Sequence, residues 1–133
     1  MELRIIDGKP FIVTRSGKKE TTYQPGDVVT TARQRLKDAR EMTTSLEGST
    51  AEAQRGLEAA LLQGKPTAAF RAELAQIKEL QADQAHEIVD AEGDIAMVGQ
   101  LLDHHRATQI RLADADAIAA LLKPFTDFLE IQK

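Results

Sequence analysis

Cysteine and tryptophan are absent from this chain, and aromatic residues make up only 4% of it. Without cysteine there is no disulfide framework, no zinc–thiolate centre and no thiol nucleophile. A reducing compartment is permitted, and a cytoplasmic location is the expectation. Long apolar runs are also missing. No stretch reaches the roughly 18 apolar residues a membrane span needs. The opening Met1-Glu2-Leu3-Arg4-Ile5-Ile6 has no basic segment followed by an apolar one, so no signal peptide is expected. Proline occurs at four positions only, and Pro25, Pro66 and Pro124 all fall where a helix would start, turn or be disturbed.

An excess of positive charge is lacking as well. Lys and Arg number 17 against 21 Asp and Glu, a formal charge of −4. The balance is uneven. Residues 1–26 hold five basic side chains and three acidic ones, leaving 12 basic and 18 acidic in the remainder. A face that displaces counterions from nucleic acid must be basic, so the long part of the chain is unsuited to general nucleic-acid binding. Acidic helix faces are likewise the reverse of what an interfacial membrane helix carries.

What is abundant is Ala, Leu, Glu and Gln, the composition of helices that pack on small and aliphatic side chains. Residues 1–26 differ. Leu3–Ile6, Phe11–Thr14 and Glu20–Tyr23 are β-prone, separated by Asp7-Gly8 and by Ser16-Gly17-Lys18-Lys19. A small β-meander is expected there, leaning on the helices or on another subunit because a lone hairpin is marginal in water.

From Asp27, read as the helix N-cap, apolar or small residues recur in alternating steps of three and four. They run Val29, Ala32, Leu36, Ala39, Thr43, Leu46, Thr50, Ala53, Leu57 and Ala60. This heptad seam is what two packed helices need if their contact line is to stay aligned. Gly48-Ser49 with Glu52 carries a capping signature, but the seam keeps its phase across it, so a single helix is expected. Gly64 and Pro66 then end the first helix and start the next. A second seam follows at Leu74, Ile77, Gln81, Gln84, Ile88, Ala91, Ile95, Val98, Leu102 and His105.

Charge predicts that the two arms fold against each other. If the chain doubles back at Gly64-Lys65-Pro66, residues whose numbers sum to about 131 lie side by side. Arg33, Arg35, Lys37 and Arg40 then face Asp90, Glu92 and Asp94, while Glu52 lies near Lys78 and Glu58 near Arg71. Segment 83–103 has six acids and no Lys or Arg, which would repel itself on an isolated helix. A third apolar stripe, Ile118, Leu121, Leu122, Phe125, Phe128 and Leu129, predicts a C-terminal helix over 108–131 packed on the open end of the hairpin, restarted or kinked at Pro124. Gly93 and Gly99 lie off the seam, where close approach of a further helix or a partner chain is possible.

The expected fold is therefore mainly α. A coiled-coil-like antiparallel hairpin, 27–63 against 67–105, is joined by the third helix, with a β-meander over 1–26 and the helical unit over 27–133.

No catalytic constellation is legible. There is no nucleophile elbow, and Ser16-Gly17-Lys18-Lys19 lacks the first glycine of a phosphate loop. Asp83, His86, Glu87 and Asp90 share a helix face, and His104-His105 follow further along, so a metal-binding helical bundle is one alternative. The paired Glu-x-x-His motifs of di-iron bundles are missing, and adjacent histidines point about 100° apart. The expectation is a non-enzymatic interaction or assembly protein without metal or cofactor, of the texture common among phage and plasmid accessory factors. Its partner is another protein or a second copy. Phe11, Arg15, Lys18, Lys19 and Tyr23 are the candidate contact residues, either at a pairing strand edge or against an anionic partner.

Overall fold

A computed structural model describes the backbone of residues 1–131 and the side chains of residues 1–125. Within them the order is three strands and two long helices: β1 (Glu2–Ile6), β2 (Lys9–Ser16), β3 (Lys19–Tyr23), α1 (Pro25–Leu62) and α2 (Ala68–Ile131).

The strands form one antiparallel meander in the order β1-β2-β3, with Leu3 opposite Ile12 and Ile12 opposite Tyr23. Asp7 and Gly8 both take positive φ, 53° and 79°, the two-residue turn whose twist suits a hairpin. Pro10 stands in β2 beyond the reach of β3, where its missing N–H costs no ladder bond on that side. Ile12 and Val13 are both almost fully buried although they point to opposite faces. Ile12 shares its face with Leu3, Thr14 and Tyr23, and β2 contacts α1 while β1 contacts α2. Val13 lies on the other face. There Arg4 pairs with Glu2 at 2.7 Å and with Glu20 at 3.1 Å, and Arg15 pairs with Glu20 at 2.8 Å. By the strand register the Arg4–Glu20 bridge runs diagonally across Val13, so charged side chains roof an apolar residue on the face opposite Ile12.

Helix α1 starts earlier than expected. Gln24, not Asp27, occupies the N-cap, with extended backbone and no side-chain cap. Pro25 sits at the first helical position, where its fixed φ suits the helix and its absent N–H is not missed. Asp27 lies in the first turn, where its charge favours the helix dipole. The helix then runs unbroken through Gly48-Ser49, and Ser49 donates its hydroxyl to the carbonyl of Ser45.

All twenty seam residues named from the sequence are buried or half-buried. The buried positions of α1 fall every seventh residue, at Ala32, Ala39, Leu46, Ala53 and Ala60. Four of the five are alanine, so the contact line is lined with small side chains. Leu46 and Ala53 cluster with Ile77, against which Leu74 packs. Thr50 and Gln81, whose numbers sum to 131, meet at 3.4 Å. The hairpin closes at the expected bend, with Arg35 bonded to Asp94 and Arg40 to Glu92 as the charges predict; Arg35 also takes Glu87, outside the expected set, and Arg33 and Lys37 form no ion pair among the described residues. Glu52–Lys78 and Glu58–Arg71 do not form ion pairs among the described residues; Arg71 instead donates to the hydroxyl of Thr67.

The expected third helix is a correction. Helix α2 does not end near His105 but runs on through Pro124 to Ile131, 64 residues in all. Between Arg106 and Lys123 no glycine or proline offers a turn, and the run is rich in alanine and leucine, so nothing redirects the chain. At the observed register Pro25 stands level with Arg106. The 25 residues of α2 beyond Arg106, about 38 Å of helix, therefore project past the start of α1. Phe128 and Leu129 lie outside the residues whose side chains are described.

Candidate interaction surfaces

Strand alternation separates the candidate residues of the N-terminal segment. Phe11 points to the same face as Val13 and is half-buried in the central strand. Tyr23 pairs with Ile12 at the edge strand β3 and points to the opposite face, towards the helices. The two rings therefore cannot form one aromatic contact surface. Tyr23 instead lines a cleft of about 280 Å3 with Thr14, Asp27, Val28, Arg35 and Asp94, at the junction of sheet and hairpin.

The arginines of this segment are offset locally, while its lysines are not. Arg15 and Arg4 are both tied to Glu20. The carboxyl of Glu20 is held below its ordinary pKa by the hydrogen bond and charge of Arg4 and then by the charge of Arg15. Glu20 therefore stays ionised and offsets the basic residues beside it. Lys18 lies in the β2–β3 turn and Lys19 opens β3; both are exposed, and neither is in an ion pair among the described residues.

The histidines are spread along α2. His86 precedes His104 by 18 residues, about 27 Å of helix, so the two cannot share one ion. Glu87, the carboxylate next to His86, is engaged by Arg35 at 2.6 Å. His105 is half-buried at the end of the seam and His104 is exposed; with Leu3, Leu101 and Thr108 they line a shallow hollow beside β1. Among the described residues no three of His, Asp and Glu come together as a metal site.

Among the described residues, the largest exposed apolar features lie on α2. Every residue from 109 to 125 is exposed, and Ile110, Leu112, Ile118, Leu121 and Phe125 present more than half of their surface to solvent. On the hairpin itself Val89 is 66% exposed and Met97 43%, either side of Gly93. A hollow of about 540 Å3 lined by Met1, Val89, Asp90, Gly93 and Met97 opens there. The stripe at Ile118–Phe125 is legible in the sequence as an unsatisfied helical face. The exposure of Val89 and Met97 is not predicted, although a second three-and-four spacing on the side of α2 away from the seam signals it. Comparison with protein-family models, with curated proteins and with solved structures finds no match for this chain. Among the described residues, no helix is long and apolar enough to cross a membrane.

Proposed function

We propose that this chain is a non-enzymatic interaction or assembly protein. The observation that carries this reading is the projecting end of α2, where every residue from 109 to 125 is exposed and large apolar side chains stand in water. Helices in proteins draw most of their stability from packing an amphipathic face. Contiguous exposed apolar surface on a folded chain marks a site of association. The hairpin and sheet act as a rigid mount that holds this face clear of the body. An accessory role of the phage or plasmid kind is compatible with such a mount, and the genes flanking this one would test that part.

The main test is capture of partners from the native host with tagged full-length protein, together with light scattering. Capture or self-association lost on Leu121→Glu supports the reading. A strict monomer that captures nothing at any concentration overturns it.

A further inference from the structure

Resting on that reading, we propose that the partner is a second copy of this chain, docked antiparallel along the outer face of α2. The side of α2 away from the hairpin seam carries its own stripe in steps of three and four. At the hairpin end it is small, with Val89, Gly93 and Ala96; at the projecting end it is bulky, with Ile118, Leu121 and Phe125. All six are exposed.

A two-fold axis through Ala107 maps this stripe onto itself, because level residues then have numbers summing to 214. Ile118 comes level with Ala96, Leu121 with Gly93 and Phe125 with Val89, while Ala107 meets Ala107. Ile118 and Leu121 each face a small residue, and Phe125 faces the shorter valine. A Cβ at Gly93 would meet nothing within 4 Å, so there is room for Leu121 of the second copy. The same axis brings Arg111 level with Asp103 and Gln100 level with Asp114, matching a cation to an anion and an amide to a carboxylate. An in-register parallel pair would set Arg111 against Arg111 and Asp114 against Asp114.

The interface is isologous and closed, so both bulky ends and both small stretches are covered at once. Covering those side chains in two copies removes on the order of 1,200 Å2 from water, at the lower end of stable specific interfaces.

Light scattering of the full chain from micromolar to about 0.2 mM, where a dimer of micromolar Kd is fully formed, tests the proposal. The expected mass is twice that of one chain. Leu121→Glu and Gly93→Leu should each raise the dissociation constant by about tenfold or more, with helical content of the hairpin retained. Gly93→Leu is informative because it fills the docking position at a site where a Cβ meets nothing within 4 Å in the single chain. Ala107→Cys, in a chain with no other cysteine, should form a disulfide-linked dimer on oxidation. A monomeric wild type overturns the dimer, and so does a dimer indifferent to both substitutions. Capture of a different protein by a monomer would leave the interaction reading standing while removing this one.

Discussion

The ring of Phe70, two residues into α2, packs directly on the backbone of Gly56 in α1, and a Cβ built at Gly56 would overlap it. The contact closes the hairpin just inside the bend and accounts for a glycine that helix propensity alone would disfavour. Gly56→Ala gains about 1 kcal/mol of propensity but must displace the ring, so the expected result is a net loss of about 1–2 kcal/mol. Urea denaturation of Gly56→Ala, Phe70→Leu and the double variant checks it. If the overlap is the cause, Gly56→Ala costs less on the Phe70→Leu background.

Thr50 and Gln81 form a polar step inside a mostly apolar contact line that also holds Thr43 and Gln84, with the Gln81 amide donating to the Thr50 hydroxyl at 3.4 Å. Thr50 also donates to the carbonyl of Leu46, so its hydroxyl both donates and accepts. Replacing both with leucine exchanges a weak half-buried hydrogen bond for apolar burial. Stability should rise by about 1–2 kcal/mol. The cost is specificity, since a polar seam position favours one register over its neighbours. Thermal melts should show the gain, and cross-linking between cysteines introduced at level positions should show additional registers in the double variant only.

The hairpin was readable because three independent signals agree on it. The heptad spacing names the buried side of each arm, Gly64-Lys65-Pro66 names the bend, and the arginines of 33–40 name the partner stretch. The strands were readable from alternation and from Asp7-Gly8. The third helix was misplaced because an apolar stripe states that a face needs cover without stating what covers it. Ile118, Leu121 and Phe125 imply a partner, and a turn within the chain was assumed although no glycine or proline between Arg106 and Lys123 provides one. Phe11 and Tyr23, two of the candidate contact residues, were not legible from composition as lying on opposite faces. Their placement on opposite faces depends on the β2–β3 register, which a one-residue slip in the turn would reverse. The Arg4–Glu20 bridge depends on the same register.

Arg35 links both arms of the hairpin, donating from Nε to Glu87 at 2.6 Å and from a terminal nitrogen to Asp94 at 3.0 Å. The hydrogen bond from Arg35 holds the Glu87 carboxyl below its ordinary pKa, outweighing desolvation, which acts the other way. A carboxyl depressed in the folded state adds stability above its unfolded-chain pKa of about 4.3, and loses it as the pH falls through the lower folded value. The thermal midpoint of the wild type should therefore drop as pH falls from about 5 towards 3. Glu87→Gln should start lower at neutral pH and fall less steeply, so the two curves converge in acid. A gap that stays constant over that range would show that ionisation of Glu87 does not contribute.

Gly64 takes φ of 65° immediately after α1, and its amide donates to the Leu61 carbonyl at 3.3 Å while that of Lys65 donates to Ala60 at 2.9 Å. These are the two bonds that close a helix end with a left-handed residue, and they aim the chain into Pro66 for the return arm. Any side chain at Gly64 pays the left-handed penalty of about 1–2 kcal/mol, although the space around it is open. Gly48 is the control: it is helical, a Cβ there also meets nothing, and its φ is not positive. Gly48→Ala should stabilise the protein by up to about 1 kcal/mol and Gly64→Ala should destabilise it by a similar amount. Because both sites have free space, steric crowding cannot account for opposite signs. Equal effects of the two substitutions in chemical denaturation would mean that the bend draws no stability from the left-handed turn at Gly64.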